Sequence, residues 1–453
     1  MARKYLIETY GCQMNIHDSE RMSGLLEQAG FESTTDERDA DVIVINTCSV
    51  RERAEEKLFT RLGEIRMLSQ ETGVRPVVAV TGCVAQQEGS QILRRSNAVD
   101  VIVGTQNLKR LPMLVNDALD RPRRPGAPAA MALDPIDDVS FPLGIAVRSD
   151  AVKAYVTIIE GCNEFCAFCV VPYTRGHERM RSASDIIAEA RHAVATGARE
   201  VQLLGQIVNH YQAPDDPACD FAALLERLDG IEGLARIRFA SPHPRHVTPR
   251  MISAMRTLPA VCRHLHLPVQ SGSSRTLAAM RRRHTREHYL ELVAELRQAM
   301  PDIALSTDMI VGFPGESDDD FADTLSLVET VRYHSMFSFK YSERPNTLAS
   351  KRMADDVPEE IKTERIVALQ TLQKRIQTEI FTASVGQIVD VLVDSQSRRR
   401  EWELSGRTTG NTVVNFTASG AGIGDIVPVR ITGANPNSLR GESVALDTAL
   451  SGA

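Results

Sequence analysis

The chain is 453 residues long, with 43 % hydrophobic and 25 % charged residues, which is more than one hydrophobic core usually supports, so two or three domains are expected. No apolar run approaches the roughly 20 residues that cross a bilayer, and Met1 to Tyr10 carries no signal-peptide pattern, so a cytoplasmic protein without membrane contact is expected. A formal net charge of -7 argues against a generally basic nucleic-acid binder, although a global sum cannot see a local basic face; eight cysteines in a reducing compartment point to metal or redox chemistry rather than to bridges.

In chain order, Tyr5-Leu6-Ile7-Glu8-Thr9 reads as a strand ending at Gly11-Cys12. Asp18 or Ser19 is the expected cap of a helix that runs to Gln28 and is ended by Gly30. The apolar run Val42 to Asn46 has the composition of a buried parallel strand and ends at Thr47-Cys48, with a charged helix from about Arg51. Val77 to Thr81 repeats the pattern up to Gly82-Cys83, and Val99 to Val103 supplies a fourth strand, so an iterated βα unit and a parallel sheet are expected. Cys12, Cys48 and Cys83 thus each stand just beyond the C-terminal end of a different strand. In open α/β sheets those ends share one crevice, so three thiols distant in sequence are expected to meet there as a metal site one ligand short. Three small buried hydrophobes are the alternative.

Arg121 to Pro128 and the acidic stretch Asp134 to Asp138 break the periodicity and read as a linker, over 121–147. From Ala151 onward six strand candidates alternate with helical stretches such as Ile186 to Ala195 and Phe321 to Val331: Ala154 to Ile159, Val201 to Leu204, Ile237 to Ala240, His264 to Leu267, Ile303 to Ile310 and Phe337 to Tyr341. Six βα units can curve into a partial barrel whose active groups come from the C-terminal strand ends.

The loop after the first of these strands holds Gly161-Cys162-Asn163-Glu164-Phe165-Cys166-Ala167-Phe168-Cys169. Thiolates spaced C-x3-C-x2-C can wrap three corners of a cubane iron-sulfur cluster and leave the fourth iron open to a chelating ligand. Cysteines this close would be strained as bridges, and structural zinc wants four ligands. A zinc loop or three unrelated core cysteines are the alternatives. Further polar groups fall at the other strand ends, and Gln206, Gln270 and Asp308 are held as cofactor contacts against an ordinary turn reading. His243 and His266 read as hydrogen-bonded interior histidines, and Cys219 and Cys262 as structural.

Val357 to Phe381 has helical spacing and reads as a connector along the barrel. Beyond Ser384 come short β-rich runs, Ile388 to Val393, Trp402 to Arg407, Val413 to Phe416, Ile426 to Ile431 and Val444 to Leu446, which suggest a small closed barrel of about five strands. Arg398-Arg399-Arg400 on a turn beside Trp402 reads equally as a nucleic-acid contact or as a solvated hairpin.

The loop with Phe168 at its aromatic position resembles the signature of the radical S-adenosylmethionine (SAM) superfamily. That resemblance implies that SAM chelates the open iron, is cleaved reductively to a 5'-deoxyadenosyl radical, and lies with its adenine near Phe168. The whole chain resembles the radical SAM methylthiotransferase family, whose last domain is called TRAM. The phrases Glu8 to Asn15, Asn46 to Glu52, Phe165 to Arg175 and Leu267 to Ser273 are similar to its MiaB-type tRNA branch, which acts on N(6)-dimethylallyladenosine beside the anticodon. Ile207 and Asn346-Thr347-Leu348 depart from the usual pattern there.

The resemblance implies an α/β fold with a parallel N-terminal domain (3–120), a partial (β/α)6 radical-SAM core (148–380) and an OB-like TRAM barrel (383–446). It implies one 4Fe-4S cluster on Cys162, Cys166 and Cys169, and a second, sulfur-carrying cluster on Cys12, Cys48 and Cys83. The reaction implied is methylthiolation of carbon 2 of the modified adenosine with two SAM. The C-H bond there is too strong for an amino-acid base, which is why a carbon radical is needed. A prenylated anticodon stem-loop, an electron donor such as flavodoxin or ferredoxin, and a monomeric state complete the expectation. A ribosomal-protein substrate, or a zinc-stabilised RNA-binding protein, is the rival reading.

Overall fold

The computed structural model describes residues 2–49, 52–121, 129–136, 138–397, 400, 402–418 and 420–444. The N-terminal sheet is built from β1 (Lys4–Tyr10), β2 (Glu32–Ser33), β3 (Val42–Thr47), β4 (Val77–Gly82), β5 (Val101–Val103) and β6 (Ala130–Ala132) in the order β2-β1-β3-β4-β5-β6, parallel throughout. Every residue of β3 and β4 is buried because helices cover both faces, which is why these strands are unbroken apolar runs rather than alternating ones. The period of two still sorts them. Val42, Val44, Val77 and Ala79 pack with Met22 and Leu26 of α1 (Gln13–Gln28), whereas Ile43, Ile45, Val78 and Val80 pack with Leu58, Leu62 and Ile65 of α2 (Glu52–Thr72). At about 1.5–3 kcal/mol for each fully buried aliphatic side chain, this two-sided packing fixes where the strands end, and so where the cysteines stand.

Two expectations need correction here. The first helix begins at Gln13, not at a cap on Asp18 or Ser19: extended Cys12 (φ -90°, ψ -178°) is its N-cap, and Asn15 Oδ1 accepts from Cys12 N at 3.3 Å. Asp18 and Ser19 are instead buried inside it. Strands β2 and β6 were not expected, being two and three residues long with little apolar pattern. Of the linker, residues 122–128 and 137 lie outside the described residues, as does Arg51 at the expected start of α2. The rest is ordered along the N-terminal domain, with Asn107 Nδ2 donating to Asp134 O (2.8 Å) and Gln106 Oε1 accepting from Ile136 N (2.8 Å).

The central strands are β7 (Lys153–Thr157), the short β8 (Ile159–Glu160) and β9 (Arg179–Met180), then β10 (Glu200–Leu204), β11 (Arg236–Phe239), β12 (His264–His266), β13 (Ala304–Val311) and β14 (Ser335–Lys340). β7, β10 and β11 form one parallel sheet and β12, β13 and β14 another. A parallel bridge Ile237–Val261 and the bond from Cys262 N to Ile237 O (3.0 Å) join them into one open, curved barrel wall. The helix Glu359–Ala383 then leads to β15 (Ile388–Gln396), β16 (Leu404–Arg407), β17 (Val413–Thr417), β18 (Ile426–Asn435) and β19 (Ser438–Ser443), a closed barrel in the order β15-β16-β17-β19-β18. The expected last strand at Val444 to Leu446 is displaced: Asn435 pairs with Ser438 across a tight turn, so the return strand starts at once, and residues 445–446 lie outside the described residues. The strand expected from Trp402 starts at Leu404.

The small barrel sits under the N-terminal ends of the central strands. Arg236 donates to Arg407 O (2.5 Å) and Asp390 O (3.0 Å), and Arg238 to Thr408 O (2.6 Å) and Thr409 O (2.9 Å), while Glu200 holds Arg238 Nε at 2.9 Å. The opposite, C-terminal ends are thereby left for the cysteine loop.

Candidate metal centres

The first cysteine loop is pinned at both ends, because β8 and β9 pair antiparallel on either side of it (Ile159–Met180, Glu160–Arg179). Gly161 turns the chain with φ +81°, and a Cβ there would lie 2.0 Å from His177 O, so no other residue fits. Cys162 N donates to Gly176 O (3.1 Å), Cys169 N to Cys166 O (3.0 Å) and Ala167 N to Met280 O (2.9 Å). Arg282, buried, places Nη1 3.5 Å from Cys166 Sγ while Nη2 donates to Pro268 O at 2.7 Å. Burial, with neighbouring thiols adding to it, pushes Cys162 and Cys169 each up to about 12. Thiolates crowded there need a multiply charged cationic partner, which iron supplies, so the donor set fits a cluster.

The other three cysteines stand at the ends of neighbouring strands. Cys12 follows β1, Cys48 follows β3 with its N–H on Tyr10 O (3.0 Å), and Cys83 opens α3 (Cys83–Glu88) directly after β4. The Cys48 thiol is hydrogen-bonded to both Cys12 and Cys83 and is itself pushed up. Cys12 and Cys83 are drawn down, first by that hydrogen bond and then, against the cost of burial, by the charge of Arg175. Ser49 Oγ, Thr81 Oγ1 and Arg175 Nη1 are buried donors with no partner among the described residues. A pocket of thiols surrounded by unsatisfied donors suits a guest rich in acceptor sulfurs, as an iron-sulfur cluster is. Among the described residues no three His, Cys, Asp or Glu side chains form a group that could hold a single metal ion.

The two triads face one interface. α3 packs against the helix Val171–Thr174 that follows Cys169. Thr105 Oγ1 donates to Thr174 O (2.7 Å) and Gln106 Nε2 to Arg175 O (2.9 Å). Asp18 pairs with Arg175 at 2.7 Å and Arg21 with Glu160 at 3.4 Å, all four side chains buried.

The residues expected to touch cofactor divide. Phe168 packs on Ala167, Met280, Ile310 and Phe313 beside the loop. Gln270, with φ +81°, is bridged to β13 through Gln270 N to Asp308 O (3.0 Å) and Ile310 N to Gln270 O (2.9 Å). Asp308 is half-buried, 3.4 Å from His266 Nε2, whose Nδ1 meets Ser306 Oγ at 2.9 Å. Gln206 is committed elsewhere: its Oε1 accepts from Gly161 N at 2.6 Å. His243 is interior, accepting from Arg245 N (3.1 Å), and Cys219 and Cys262 are buried away from both triads. Sequence reasoning missed Arg175, Arg282 and the buried Glu164, which accepts from His246 at 2.7 Å. Only the position of Arg175 and Glu164 in or just after the cysteine loop signalled them.

Three family models match the chain: Uncharacterized protein family UPF0004 over residues 4–104, the Radical SAM superfamily over 156–328 and the TRAM domain over 383–444. A curated relative named tRNA-2-methylthio-N(6)-dimethylallyladenosine synthase, from Agrobacterium fabrum (strain C58 / ATCC 33970), is 47 % identical over 97 % of this chain and 97 % of its own. One of the same name from Geobacter metallireducens (strain ATCC 53774 / DSM 7210 / GS-15) is 45 % identical over 96 % and 97 %. Among solved structures, the radical S-adenosylmethionine methyltransferase TsrM from Kitasatospora setae superposes with a TM-score of 0.57 at 14 % identity, covering 77 % of each chain. At that identity the likeness concerns the fold alone.

Proposed function

The chain belongs to the tRNA-2-methylthio-N(6)-dimethylallyladenosine synthases, and on that footing we propose that Cys162, Cys166 and Cys169 hold one of its two clusters and Cys12, Cys48 and Cys83 the other. It is a radical SAM enzyme, a tRNA methylthiotransferase that uses two 4Fe-4S clusters and SAM. When bound, these groups supply the one-electron chemistry that opens an inert C-H bond at carbon 2 of the modified adenosine, and the sulfur and methyl that replace the hydrogen.

The protein's part is placement. Gly161, Gln206 and the β8–β9 pair shape the loop, and Arg282 offsets charge at Cys166. In this reading Phe168, Gln270 and Asp308 receive SAM, Phe168 through its ring and Asp308 through its carboxylate. The TRAM barrel carries exposed Trp402 and described Arg400 for RNA, while Arg398 and Arg399 lie outside the described residues. A cleft of about 720 Å3 lined by Ile16, Tyr155, Leu404 and Ile423 separates this barrel from α1. Tyr155 lines this cleft and shares one apolar cluster with Met14 and Cys12, and RNA in the cleft would approach the second triad along them. The domain limits 3–120, 148–380 and 383–446, a flavodoxin- or ferredoxin-like donor, a single subunit and a cytoplasmic setting complete the reading.

The observation that carries it is that the elements bearing the two three-thiol sets pack together across one buried interface. Reconstituted protein incubated anaerobically with SAM, reductant and a prenylated anticodon stem-loop should yield the 2-methylthio nucleoside by mass spectrometry. Normal SAM cleavage without that product would overturn the RNA substrate.

A further inference from the structure

The buried pair Asp18–Arg175 serves neither ligation nor loop geometry. Arg175 caps the helix that follows the cysteine loop, yet its side chain leaves that domain and reaches α1, the helix begun by Cys12. Arg175 and Asp18 are 3 % and 1 % exposed, and a pair so far from water is costly unless its remaining atoms are satisfied. They are not: Arg175 Nη1 and Asp18 Oδ1 have no partner among the described residues. Around them lie the start of α1 at Cys12 and the start of α3 at Cys83, which packs on the same short helix. A buried cationic donor left open against a thiol-lined site implies an acceptor to come.

We propose that Arg175 is a positioning residue for the second cluster: supplied by the radical-SAM domain, it turns Nη1 to a sulfur of the group held by Cys12, Cys48 and Cys83 while Nη2 holds Asp18. This rests on those three cysteines being that cluster's ligands. The second site is then completed by a residue from the radical-SAM domain, so its charge and its distance from the first cluster are set together. A cation beside a cluster stabilises the reduced, more negative form and raises its potential.

The test uses the full chain carrying Cys162→Ala, Cys166→Ala and Cys169→Ala, so that only the second cluster is read. Iron and sulfide are counted, and the potential is titrated by EPR with Arg175, Arg175→Met and Arg175→Lys. Arg175→Met should keep its iron and move to a more negative potential, and Arg175→Lys should recover most of the shift. If Arg175→Met instead loses its iron, retention by Arg175→Lys supports the role of charge, and loss in both overturns it. An unshifted potential in iron-loaded Arg175→Met overturns the proposal while leaving the ligands intact. A background chain that binds no iron removes the ligand assignment itself.

Discussion

Gln206 Oε1 accepts a hydrogen bond from Gly161 N at 2.6 Å, so a residue at the end of β10 holds the residue that opens the first cysteine loop. A buried backbone donor stripped of its acceptor costs about 1–3 kcal/mol. Gln206→Ala should therefore weaken the loop rather than the grip on SAM. Iron at the first site and the rate of SAM cleavage should fall together, with KM for SAM unchanged. Full iron with a raised KM would make Gln206 a SAM contact after all.

The two triads should separate by mutation. Cys166→Ala removes a ligand of the loop and should abolish SAM cleavage. Cys48→Ala, at the thiol that bonds both Cys12 and Cys83, should halve the iron, keep SAM cleavage and stop methylthiolation. Equal loss of cleavage in both variants would show that the sets do not divide the work in this way.

The junction with the small barrel predicts an ordered pair of effects. Arg238 and Glu200 are each 5 % exposed and 2.9 Å apart, so Arg238→Met strands a buried carboxylate and should cost about 3–5 kcal/mol. Arg236 hydrogen-bonds to the carbonyls of Arg407 and Asp390, and Arg236→Met should cost less, about 1–3 kcal/mol. Both should weaken binding of the stem-loop RNA through a loosened barrel. Chemical denaturation that ranks Arg236→Met as the more harmful would contradict the geometry.

What could be read from the chain followed from period and position. β3 and β4 are continuous apolar runs because they are covered on both sides, and Cys48 and Cys83 fall at their C-terminal ends where such sheets open. Cys12 lies at the equivalent point of β1, but its capping role was hidden because cysteine is not a usual cap residue, whereas Asp18 and Ser19 look like caps. Their polarity signals something else: Asp18 pairs with Arg175, and Ser19 Oγ meets Thr9 Oγ1 at 2.7 Å and Asn46 Nδ2 at 2.9 Å. A charged residue on a helix normally reads as a solvent face, so an interface built from Asp18, Arg21, Glu160 and Arg175 leaves no local pattern. The same applies to Arg236 and Arg238, whose carbonyl partners in the small barrel stand 154 to 171 positions away. The contacts that join domains are long-range and polar, and periodicity reports neither.

Buried imidazoles make the fold sensitive to acid. Burial, reinforced by the charge of Arg282, holds His243 well below the ordinary histidine range and pushes His284 down to about 4; burial and Arg297 do the same to His334, also to about 4. In the unfolded chain each takes up a proton near pH 6.5. Between pH about 6.5 and 4 the unfolded state therefore binds more protons than the folded one, so stability is full above that window and is lost as pH falls through it. Each such histidine contributes a slope of up to about 1.4 kcal/mol per pH unit. Urea unfolding of the cluster-free protein at pH 7, 6 and 5 should show a steepening loss, and His284→Asn should reduce the slope by roughly one proton. A flat profile across this range would mean that these rings titrate alike in both states, and that the interior holding them is open to water.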